Sequence, residues 1–216
     1  MHNTTTDELL PDPSKYQRLL GKLLYLTVTR LDIAFSVQTL SQFMQKPKRS
    51  HMEAAQRVVR YVKNQPGQGI LLSTEKKNIV TAYCDADGVA CPLTRKYVIG
   101  FFIMYGDSLV SWKSKKQSTI SRSSAESEYR SIASTVVEIV WILGLFKDIG
   151  VPVALLVTIH TDSKAAIQIA ANPVFQERTK HIEIDCHFIR EKIQNGLVKT
   201  EYVSTKEQLA DVLQKA

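Results

Sequence analysis

Carboxylates recur in this sequence where predicted strands and helices begin or end. Asp85 and Asp87 close the run Ile79-Val80-Thr81-Ala82-Tyr83-Cys84-Asp85-Ala86-Asp87. Glu126 and Glu128 stand near the start of a long helical pattern, Asp162 ends a later apolar run, and Asp211 lies in the last helical stretch. Each has an ordinary explanation. Aspartate closes strands in turns, Ser123-Ser124-Ala125-Glu126 has the form of a capping box, and Asp162 suits a helix N-cap. Together they suggest more, because the segments between them can bring carboxylates from the first strand, the long helix, the later strand and the last helix into one place. Such a group repels itself and needs a cation of high charge. Ligation by carboxylate oxygen suits magnesium or manganese, and a pair of such ions can activate a water and stabilise the leaving oxygen of a phosphodiester. Helical-wheel geometry does not separate Glu126 from Glu128, since each flanks the apolar stripe on one side.

The elements that would position these groups follow from periodicity. Residues 79–87 read as a strand by their β-branched and aromatic content. Tyr97 to Tyr105 and Leu109 to Trp112 are two more strands, joined at Gly106-Asp107 by a hairpin turn. Lys113 to Thr119 reads as a polar, basic connection, either an ordinary exposed loop or one that grips phosphate ahead of a helix N-terminus. The long helix carries Ala125, Tyr129, Ile132, Val136, Ile139, Val140 and Leu143 at helical spacing. Leu155 to Thr161 is a strand apolar on both faces and therefore central. A short helix from Lys164 to Ala171, a helix ending near Asn195, a strand from Leu197 to Val203 and a helix from Glu207 to Lys215 complete this part. A meander followed by crossovers predicts an α/β fold with a five-stranded mixed sheet flanked by helices.

Upstream, helical patterns run from Ser14, from Arg30 to Gln45 and from Ser50 to Asn64, giving a small helical segment. Its basic residues, Arg57, Arg60 and Lys63 among them, are more often a solvated face than a nucleic-acid footprint. His181, Asp185 and His187 do not share one helix face, so zinc is rejected. The 216 residues carry 28 Lys and Arg against 21 Asp and Glu, a formal charge of +7, which suits a polyanionic partner. Three cysteines without CxxC spacing point to a reducing compartment. The apolar runs around Phe101 to Tyr105 and Val136 to Phe146 are too short or interrupted for a bilayer, and the N-terminus lacks a signal core. An intracellular protein, cytoplasmic or nuclear, without a membrane partner is expected.

Several motifs, in order, resemble the ribonuclease H domain of copia-type retrotransposon Pol polyproteins. They are Tyr83-Cys84-Asp85-Ala86-Asp87, Ser111-Trp112-Lys113-Ser114-Lys115-Lys116-Gln117, the stretch from Ser121 to Arg130, Thr161-Asp162-Ser163, the stretch from Arg178 to Arg190, and Gln208-Leu209-Ala210-Asp211-Val212. The stretches from Tyr16 to Thr27 and Leu40 to Met44 look like the tail of the preceding reverse transcriptase. Residues 1–13, polar and with Pro11-Asp12-Pro13, read as a disordered N-terminus, and the resemblance implies 14–70 as that helical tail and 79–216 as a ribonuclease H-like domain.

It further implies a hydrolase that cuts the RNA strand of an RNA/DNA hybrid. Asp85, Glu126, Asp162 and Asp211 would be the catalytic residues, holding two Mg2+ or Mn2+ ions, and the resemblance alone chooses Glu126 over Glu128. Asp87 is a lesser candidate. Lys113, Lys115, Lys116, Arg122, Arg178 and Lys180 would contact nucleic acid, and the reverse transcriptase portion of a parent polyprotein would be a partner. There are departures: Gly88 and Ala90 stand where the family usually shows Trp and Gly, Leu31 replaces a proline, and Gln214 replaces a threonine. They support an alternative, a catalytically decayed remnant that keeps the fold and at most binds nucleic acid. A transferase on the related integrase fold is disfavoured, because the Glu-bearing helix precedes Asp162.

Overall fold

The computed structural model describes residues 7–75, 77–87, 97–117, 120–121, 123–171 and 183–214. The chain divides into two units between Ile70 and Leu71.

The first unit is helical: α1 (Ser14–Leu26), α2 (Ala34–Ser41), entered through a 3-10 turn at Leu31–Ile33, and α3 (Arg49–Asn64). The continuous helix expected from Arg30 to Gln45 is therefore shorter and starts with a tighter turn. Tyr16, Leu20, Leu23, Ile33, Val37, Leu40 and Ala55 form a small core, and the Tyr16 hydroxyl donates to the Leu40 carbonyl at 2.7 Å. Residues 1–6 lie outside the described part. The expected disorder does not extend to Asp7–Leu10, where Leu9 pairs with Lys48 and the Asp7 carboxylate accepts from the Ser50 amide at 3.1 Å.

The second unit is a five-stranded sheet in the order β3-β2-β1-β4-β5, made of β1 (Ile79–Asp87), β2 (Val98–Tyr105), β3 (Ser108–Lys116), β4 (Ala154–Thr161) and β5 (Val198–Tyr202). The first three strands are the antiparallel meander, whereas β4 lies parallel to both β1 and β5. Gly106, at φ +57°, makes the β2–β3 turn; a Cβ there would be strained and would meet Lys77 at 3.0 Å. Helices α4 (Ser124–Asp148), α5 (Lys164–Ala171) and α6 (Glu183–Gln194) join the sheet in one core. Val80, Ala82 and Cys84 of β1, Ile99, Phe101 and Ile103 of β2, and Val157 and Ile159 of β4 pack there with Tyr129, Ile132, Val136 and Ile139 of α4. By length and composition α4 would suffice to cross a bilayer, unlike the interrupted run read from the sequence, but its apolar stripe is used in this core.

Two expectations are corrected. Lys113 to Lys116 are not a loop, because β3 runs on to Lys116, paired with β2. The last helix is not α-helical: Thr205–Glu207 and Leu209–Leu213 are 3-10 turns.

Candidate divalent-metal site

Adjacent parallel strands present their C-terminal ends at the same edge of a sheet. β1 and β4 do this, with Tyr83 paired to His160, so Asp85 and Asp162 come to one place two residues further on. Helix α4 supplies the third carboxylate. Its buried Ser131 donates to the Asp85 carbonyl at 2.9 Å and ties the helix to the end of β1. Glu128 lies one turn earlier on the same side, as residues three apart do. Carboxylate oxygens of Asp85, Glu128 and Asp162 then lie within 4.8 Å of one another.

Like charges this close raise each other's proton affinity. Burial, reinforced by the charges of Asp85 and Asp162, pushes the Glu128 carboxyl up to about 9. Burial raises Asp85 to about 7, with a hydrogen bond to Asp211 and the charge of Asp162 adding to it. Oε2 of Glu128 is buried with no hydrogen-bond partner among the described residues. An orphaned carboxylate oxygen facing two more carboxylates fits a hard dication, which takes oxygen ligands and offsets their repulsion.

Asp211 is outside that group of three but shares a hydrogen bond with Asp85. On the other flank, the Thr205 hydroxyl donates to Asp162 Oδ2 at 2.8 Å. Glu126, chosen by resemblance, is elsewhere. Its amide is capped by the Ser123 hydroxyl at 3.1 Å and its carboxylate accepts from Arg130 Nε at 3.1 Å. Two residues along a helix is more than half a turn, so Glu126 and Glu128 cannot both face β1. Glu128 shares a helical stripe with Ser131 and Thr135, and it is the burial of both hydroxyl residues in the structure that marks this side of α4 as the one facing the sheet.

Of the predicted nucleic-acid contacts, Lys113, Lys115 and Lys116 stand on β3. Lys115 and Lys116 line an open groove of about 500 Å³ with Arg130, Ser134, Asp185 and Phe188. Arg122, Arg178 and Lys180 lie outside the described residues, as does the side chain of Asp87.

A sheet of this order, with carboxylates converging at the ends of its central parallel strands, defines a ribonuclease H-like domain. The chain is 41% identical over 206 residues to the retrovirus-related Pol polyprotein from transposon RE1 of Arabidopsis thaliana and 42% identical over 208 residues to that from transposon RE2 of the same plant. Each match covers 95% of this chain and 14% of the relative. The chain belongs to the retrovirus-related Pol polyproteins of transposons and spans about a seventh of the length of these relatives. No protein-family model matches it. Among solved structures, LC11-RNase H1 isolated from compost aligns with a TM-score of 0.46 and 16% identity, over 63% of this chain and 93% of that one.

Proposed function

We propose that the second unit is a ribonuclease H-type endonuclease of a copia-type element, hydrolysing the RNA strand of RNA/DNA hybrids with two divalent ions. The observation that carries this reading is the convergence of Asp85, Glu128 and Asp162, from three separate elements, around a buried unpartnered oxygen. Natural folds do not keep such a group for stability. In this proposal Glu128 takes the ligand role that resemblance gave to Glu126, and Asp211 is the fourth carboxylate. Bound divalent ions supply an activated water and charge compensation for the leaving oxygen. The chain's own part is to hold the carboxylates in register, and to seat the substrate. Lys115, Lys116 and Arg130 around the groove give a cationic track for the phosphates of one strand. The 2′-hydroxyl distinguishes the strand to be cut.

The test is purified protein with labelled RNA/DNA hybrid in magnesium, manganese or excess chelator. Cleavage of the RNA strand in either metal, lost with chelator and in Asp85→Asn, is expected. Cleavage that survives both would end the metal reading, and no cleavage by folded protein in either metal would favour the remnant.

A further inference from the structure

We infer that Gln208 is a positioning residue of the acidic site, setting Asp211 against Asp85, and that Gly100 is the seat that admits it. The inference rests on reading the carboxylate group as a divalent-metal site.

Asp211 stands in a 3-10 turn of five residues, Leu209–Leu213, too short to hold itself in place. Something else must fix it. Gln208 is 5% exposed, unusual for a long polar side chain. Its amide is used at both ends: Nε2 donates to the Cys84 carbonyl at 3.1 Å, and Oε1 accepts from the Ala210 amide at 3.2 Å. Cys84 immediately precedes Asp85 and Ala210 immediately precedes Asp211, so one side chain links the backbones that carry the two aspartates. The β1–β4 pairing reaches only Tyr83, and the carbonyl taken by Gln208 belongs to the next residue.

The opposite side of the contact is just as specific. Gly100 pairs directly with Asp85 across β1 and β2. It alternates with Ile99 and Phe101, which face the helices, so the turn lies on the other face of the sheet. A Cβ on Gly100 would stand 2.9 Å from the Ala210 carbonyl oxygen and 3.1 Å from Leu213 Cβ. Backbone cannot yield as a flexible side chain does, so any side chain here lifts the turn that carries Asp211. The Ser114 hydroxyl, donating to the Leu213 carbonyl at 2.6 Å, closes the far end.

A Gln that only capped the turn would affect stability and nothing more. Positioning predicts coupling to Asp211, and partners that orient metal ligands cost about 10–100-fold in metal affinity when removed. The experiment is Mn2+ binding to the full 216-residue chain, followed by the electron paramagnetic resonance of free Mn2+. Wild type is compared with Asp85→Asn, Asp211→Asn, Gln208→Ala, Gly100→Ala, Ser114→Ala and the double variant Gln208→Ala with Asp211→Asn. Gln208→Ala and Gly100→Ala are expected to weaken binding about tenfold or more, matching Asp211→Asn, with Ser114→Ala milder. The double variant should be no weaker than Asp211→Asn alone. Wild-type affinity in both Gln208→Ala and Gly100→Ala, or an undiminished Gln208→Ala loss in the Asp211→Asn background, overturns the positioning role. Unchanged binding in Asp85→Asn identifies the failure as that of the metal-site reading itself.

Discussion

Both units bury charge, and the sheet unit treats part of it in the opposite way to the helical unit. In the helical unit, Arg30 is 2% exposed and fully partnered. It makes a two-pronged pair with Asp32 at 2.9 and 2.7 Å, donates to the Gln65 carbonyl at 2.9 Å, and sits 5.6 Å from the Tyr61 ring centre. The hydrogen bond from Arg30 holds the Asp32 carboxyl below its ordinary range. In the sheet unit, Glu126 is buried and paired with Arg130, but buried Asp85 and half-buried Glu128 and Asp162 share one charge sign, and the proton affinities of Asp85 and Glu128 rise where that of Asp32 falls. Buried charge that serves the fold is paired within the fold. Carboxylates of like sign gathered at one sheet edge are what the proposed metal site would need.

The largest effect that could break this comparison lies in the helical unit. Asp32→Ala leaves the Arg30 guanidinium buried without its carboxylate, and should cost about 3–5 kcal/mol, the usual penalty for removing one partner of a buried pair. Chemical denaturation monitored in this unit checks it. A loss under about 1 kcal/mol would place the pair among ordinary surface bridges.

Glu128→Gln should act in the reverse direction on stability. Without metal and at a pH above about 9, where Glu128 is ionised, it removes a charge that its neighbours repel, so the melting temperature of the sheet unit should rise there, by about 2–4 °C for each kcal/mol relieved. The same change should weaken Mn2+ binding about tenfold or more, since Gln keeps the shape and loses the ligand charge. A variant that is less stable without metal would show that Glu128 is a structural group.

The pH dependence of stability should then have opposite slopes in the two units. Asp32 has a lowered folded value, so its contribution is present above its ordinary 3.8 and is lost as pH falls through that range. Asp85 and Glu128 have raised folded values of about 7 and about 9 against ordinary values of 3.8 and 4.5. In that window the folded state binds more protons than the unfolded state, so stability falls as pH rises from about 4 to about 9. Millimolar magnesium should flatten this second slope by favouring the ionised form. Hydrogen exchange at acid and alkaline pH, followed unit by unit, measures both, and parallel slopes would defeat the distinction.

What was legible in the sequence follows the range over which each signal acts. The adjacency of Asp85 and Asp162 follows from chemistry rather than connectivity: aspartates at the C-terminal ends of two strands suit one metal site only if the strands are neighbours, although β1 reaches β4 only through β2, β3 and α4. The hairpin at Gly106 and the helix from Lys164 to Ala171 follow from local chemistry. Lys113 to Lys116 misled because lysine suggests solvent, and an edge strand satisfies that preference as well as a loop does. The last segment has helical periodicity, yet docking against Gly100 holds it as a 3-10 turn, a tertiary effect without local signature. The choice between the glutamates was of the same kind. A wheel shows which residues share a side of α4; only the Ser131 bond to the Asp85 carbonyl shows which side meets β1.

That choice carries the smallest predicted effect on metal binding. Glu126 is a helix-cap residue paired four positions along with Arg130, whose Nη2 lies 3.0 Å from the Glu126 carboxylate. Gln in its place keeps an oxygen that Arg130 can donate to and leaves the Ser123 cap on the backbone amide untouched. The Glu126 side chain is 6% exposed and that of Arg130 18%, so replacing the charged partner by an amide should cost about 1–3 kcal/mol of stability. Mn2+ affinity should stay within about twofold of wild type, against a loss of about tenfold or more for Glu128→Gln. The two variants differ by one methylene-spaced amide two residues apart, so general effects of removing a negative charge from a basic chain cancel between them. If Glu126→Gln lost Mn2+ and Glu128→Gln kept it, α4 would have to turn by more than half a revolution on binding. That rotation would break the Ser131 bond and pull Tyr129, Ile132 and Val136 from the core, so the resemblance-based assignment could return only at the expense of the fold described.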